Sequence, residues 1–91
     1  MKAAQKRNTE KLDLAHEDVR RAIMNLASVR DVLSIIEEGR PFHFNDEQMA
    51  TFARTTLIEA GGRLERAAET LGICEFENPD DGYFPEARHH G

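Results

Sequence analysis

The chain has no tryptophan, one tyrosine, three prolines and a single cysteine, Cys74. A lone cysteine can form no intrachain disulfide, which fits a reducing compartment. No uninterrupted apolar run approaches the ~18 residues that a membrane-spanning helix needs. The basic start MKAAQKRN leads into charged sequence instead of an apolar segment, so neither a secretion signal nor a span is read, and the expected location is cytoplasmic. Positive charge is also short: 12 Lys and Arg stand against 17 Asp and Glu, a net charge of −5. That balance argues against a nucleic-acid-coating or membrane-surface role, both of which need clustered cations.

What is present is periodicity. From Leu12 to Ile36 the apolar residues Leu12, Ala15, Val19, Ala22, Leu26, Val29, Leu33 and Ile36 alternate in steps of three and four, the a/d seam of a coiled-coil-like helix. Asn8 or Thr9 is a suitable cap at its start. Gly39 followed by Pro41 ends it, because glycine accepts the left-handed C′ conformation and proline cannot continue a helix. The connector RPFHFN is short enough to return the chain antiparallel. At its end Asn45 and Gln48 have the spacing of a capping box, with Phe44 placed to staple against Met49.

The second helix repeats the pattern through Ala50, Ala53, Leu57, Ala60, Leu64, Ala67 and Leu71. The phase passes without a break through Gly61 and Gly62, which a turn would have no reason to preserve. Glu59 and Arg63 are spaced to form an ion pair across the glycines. Each glycine costs ~1 kcal/mol relative to alanine inside a helix, so replacing both with alanine is expected to raise thermal stability. Gly72, with Ile73 after it, reads as a second Schellman ending.

The expected fold is therefore all-α, with a flexible basic N-terminus over 1–8, helices over about 9–38 and 46–71 forming an antiparallel hairpin, and an irregular acidic and aromatic tail over 74–91. A chain of 91 residues buries only a modest core alone. Leu14, Ile23, Val32 and Ile35 lie off the first seam, and Phe52 and Ile58 off the second, widening the apolar stripe beyond what one partner helix covers. Two hairpins packed as a homodimeric four-helix bundle would cover it, with these six residues and Gly61 at the interface.

The stretch GGRLERAAETLGI, Gly61 to Ile73, resembles the DNA-binding domain of the factor-for-inversion-stimulation (Fis) type. There a Gly-containing turn and an AA-x-x-LGI segment lead into a recognition helix. The resemblance covers a small part of the chain and implies DNA reading, through basic residues on the helix that follows. Here the following residues read CEFENPDDGYFPE, acidic and interrupted by Pro79. A DNA-binding regulator would instead have to gather Lys2, Lys6, Arg7, Arg20 and Arg21 on one surface.

Chemistry-bearing patterns are scarce. His16, His43, His89 and His90 fall into no metal-ligand spacing, and the seams carry no acids, so no metal and no cofactor is expected. Cys74 has no histidine placed in sequence to activate it, and no catalytic residue is assigned. A small bundle enzyme or ligand binder would require a polar-lined pocket between the helices. Two aromatics flank His43 at the hairpin tip, and Phe42 and His43 there, with Phe76, Tyr83 and Phe84 in the tail, are candidate partner contacts. Together these features point to a non-catalytic protein–protein interaction module, such as a small adaptor, inhibitor or regulatory partner of bacterial or phage type. It would act through a helical face and the tail on a protein partner that the residues do not name.

Overall fold

A computed structural model describes residues 2–73 and 82–89, with side chains for 7–73 and 82–87. The elements are α1 (Lys2–Glu38), α2 (Asp46–Thr70) and α3 (Pro85–His89). No strand occurs among the described residues. Phe76, Cys74, Pro79 and His90 lie outside them.

Helix α1 begins at Lys2, earlier than the heptads alone indicate, and Asn8 and Thr9 are helix interior instead of cap. The reason is propensity: Lys, Ala, Gln and Arg, which make up nearly all of the first turns, are all strong helix formers. With 37 residues α1 is ~55 Å long against ~38 Å for α2. Its N-terminal turns project past the end of α2, and residues 7–14 are all exposed.

Both long helices end as their glycines dictate. Gly39 has φ of 65°, its N–H donates to Ile36 O at 3.2 Å, and the Arg40 N–H donates to Ile35 O at 3.2 Å. Gly72 has φ of 73°, with Gly72 N–H to Glu69 O at 3.0 Å and Ile73 N–H to Ala68 O at 2.9 Å. Each is a Schellman pair that satisfies orphan carbonyls. Ile73 itself is exposed and adds little burial to the second ending. Helix α2 starts on a complete capping box: the Gln48 N–H donates to the Asn45 side chain at 2.8 Å, and the Asn45 N–H donates to the Gln48 side chain at 3.0 Å.

The helices are antiparallel. Val29 and Val32 cluster with Met49 and Ala53 near the connector, while far from it Arg66 reaches Asp18 at 3.3 Å. Helix α2 runs unbroken through Gly61 and Gly62. The ion pair expected between Glu59 and Arg63 is not among those of the described residues, so unbroken hydrogen bonding, not a charge bridge, carries the helix across the glycines.

The hairpin seam differs from the heptad reading in one respect. The buried apolar residues are Ala15, Ala22, Val29 and Val32 on α1, and Met49, Ala53, Ala60 and Ala67 on α2. Ala22 is 0% and Ala60 1% exposed, whereas Leu12, Leu26, Leu33, Leu57, Leu64 and Leu71 keep 42–58% of their surface in solvent. The two halves of each heptad have separated: one faces the partner helix, and the other faces outward. Small side chains let the two backbones approach closely, and the leucines are left at the edge of the contact.

Candidate functional site: the leucine face and the glycine shelf

Leu26 and Leu33 each lie four residues after a buried position, and Leu57, Leu64 and Leu71 do the same after Ala53, Ala60 and Ala67. An equal offset on two antiparallel helices places both rows on the same side of the hairpin. Leu12 and the half-buried Val19 continue the row on α1. One face of the molecule therefore carries a double row of leucines, with Arg30 standing beside Leu26 and Leu33.

The middle of that face is an open groove of about 460 Å³. Leu26, Leu57 and Leu64 form its floor, and Tyr83 and Phe84 rise on one side. Its surface is almost wholly apolar, with the carboxylate of Glu65 at the margin. Such a surface can bury apolar side chains.

The tail side of the groove is built on the two glycines. The Phe84 ring occupies the space a side chain on Gly61 would fill, and Ala87 does the same at Gly62. The Phe84 N–H donates to Glu65 Oε1 at 2.9 Å, and the Glu65 carboxylate also lies against Gly82. Glu65 is buried by this arrangement. Pro85 begins α3 at the position where a missing N–H costs nothing. The glycines are thus a shelf within a continuous helix, and the added methyl groups of alanine would meet Phe84 and Ala87. The gain in stability expected from replacing them is opposed by that collision.

The residues expected at an oligomer interface do not share one face. Val32 is buried in the hairpin's own core, and Ile35 is packed against that cluster. Leu14 and Phe52 each precede a buried alanine and flank the side away from the leucine row; both are exposed. Ile23 is exposed and follows Ala22, on the leucine side, while Ile58 is partly buried. Gly61 is buried beneath Phe84.

Of the expected partner contacts, Phe42 and His43 remain at the tip, exposed, in a stack with Phe44. The Phe42 and His43 rings are 4.4 Å apart, His43 and Phe44 4.4 Å, and Phe42 and Phe44 5.7 Å. Phe42 thus packs on its sequence neighbours. Tyr83 and Phe84 lie together at the groove, with Tyr83 87% exposed and Phe84 partly buried. Phe76 lies outside the described residues.

Arg20 and Arg21 both engage Glu17, at 2.9 and 2.7 Å. The hydrogen bond from Arg20, then that from Arg21, lowers the Glu17 carboxyl from 4.5 to about 2, and the same bond raises the Arg20 guanidinium. No group of three or more His, Cys, Asp and Glu that would hold a metal ion occurs among the described residues. No helix among them is long and apolar enough to cross a membrane. The Fis-like segment lies within α2 and its C-terminal cap, so no turn forms at Gly61 and Gly62.

Glu65 and the seating of Phe84 were not legible in the sequence. Glu65 looks like any surface acid on an amphipathic helix, and only the docked tail buries it. Comparison with models of known families, with curated proteins and with solved structures brings no match.

Proposed function

We propose that this chain is a non-catalytic protein–protein interaction module, that its binding surface is the leucine face, and that two hairpins pair through it as a four-helix bundle. One observation carries this reading: the hairpin buries its alanines and leaves its leucines half exposed. A helical pair that had completed its burial would have the larger side chains inside, since each leucine has about 1 kcal/mol of apolar burial still to gain. A contiguous apolar face on a small domain marks an interaction site. The self-complementary occupant is a second copy, because a two-fold axis through the face would bring the same leucine rows together.

Light scattering coupled to size exclusion tests the reading. The full chain is expected to show more than one chain's mass at micromolar concentration, and the Leu57→Ser, Leu64→Ser double variant to shift toward one. A single-chain mass for the unaltered protein throughout that range would remove it.

A further inference from the structure

Gly61 stands three and four residues from Leu64 and Leu57, so it borders the leucine row on α2. A second helix laid along those leucines comes closest to α2 where no side chain stands in its way, at Gly61. That place is filled by the Phe84 ring, with Ala87 over Gly62 beside it and the Phe84 N–H held by Glu65. Among the described elements α3 packs on α2 alone. A single helical turn of this length has no stability of its own, so its conformation depends on staying docked.

We propose that Gly82–His89 is an intramolecular competitor for the leucine face: seated on Gly61 and Gly62, it holds back a second copy from packing along Leu57 and Leu64, and its release strengthens self-association. The inference rests on the reading of that face as the surface where two copies meet. The competition is steric and local. Phe84 and an incoming helix need the same volume above Gly61, and Tyr83 and Phe84 line the groove beside it.

Sedimentation equilibrium on the full chain decides the matter, with release produced from each side of the contact. Phe84→Ala removes the ring from the shelf, and Gly61→Ala removes the shelf from the ring. If α3 is docked most of the time, both variants should dimerise at least about tenfold more tightly than the unaltered chain, because only the released fraction is competent. Circular dichroism confirms that each remains helical. Should either folded variant self-associate as before or more weakly, α3 would be a bystander or part of the interface, and the competition would be disproved. Adding Leu57→Ser and Leu64→Ser to Phe84→Ala separates the two ideas. Tighter association that survives those serines would keep the regulatory role of α3 while removing the leucine face as its target. Absence of association in all variants would overturn both.

Discussion

The Phe84 ring rests on Gly61, in the volume that any larger residue at that position would claim, and its backbone N–H is fixed by Glu65 on the next turn of the same helix. A pair of glycines that weakens α2 thereby becomes the seat of the C-terminal segment.

Replacing Gly61 by alanine sets two effects against each other. The helix gains ~1 kcal/mol from the better helix former, and α3 loses its seat. Amide hydrogen exchange should separate them: the amides of Phe84, Glu86, Ala87 and Arg88 should exchange at the rate of an open chain while those of α2 hold or gain protection. Unchanged protection of the Phe84 and Glu86 to Arg88 amides would show that the ring tolerates the methyl group.

Asn25 is partly buried on the inner side of α1, and its side-chain oxygen has no hydrogen-bond partner among the described residues. An unsatisfied buried acceptor costs about 1–3 kcal/mol, and an apolar side chain of similar size removes that cost. Asn25→Leu is therefore expected to stabilise the hairpin by about that amount in urea denaturation with an unaltered slope. A fall in stability would mean that the amide is satisfied in solution.

Glu17 is held ionised by Arg20 and Arg21, with its carboxyl lowered to about 2. A depressed folded-state value gives a contribution that is present above the unfolded value of 4.5 and is lost as pH falls from there toward 2. Because the Glu17 side chain is 43% exposed, solvent screening keeps that contribution small. An NMR titration of the side-chain carboxyl should place its midpoint well below 4.5, and Arg20→Ala should move it upward. A midpoint near 4.5 in the unaltered protein would show that the bidentate contact does not persist.

Met49 and Leu64 differ in where their burial lies. Met49 sits in the cluster with Val29, Val32 and Ala53, so Met49→Ala is expected to lower stability by about 2–5 kcal/mol at any protein concentration. Leu64 is 42% exposed, so Leu64→Ser should cost the dilute monomer about 1 kcal/mol and cost more where copies associate. Thermal melts over a dilution series distinguish the two, and a loss for Leu64→Ser that does not grow with protein concentration would count against its place in an association surface.

The helix ends were the most legible part of the fold. Asn45 with Gln48, and the glycines at 39 and 72, act through hydrogen bonds within a few residues, so their meaning is written locally. The helical state of GGRLERAAETLGI was legible too, because a heptad phase carried through two glycines is itself a local pattern. Which apolar residues lie inside the hairpin was less so. Val32 and Ile35 lie off the heptads of α1 and yet belong to its core, since the true seam is turned toward them and away from Leu26 and Leu33.

The sequence by itself determined two antiparallel helices, their caps and the existence of an apolar stripe on each, because periodicity and capping depend on neighbours a turn or two away. Only the tertiary structure decided which half of each stripe is buried and what lies on the glycines. A stripe wide enough to face two directions does not state its own orientation; close approach of the backbones selected the alanines. The docking of Phe84 on Gly61 joins residues far apart in the chain through shape alone, which leaves no periodic trace in either segment.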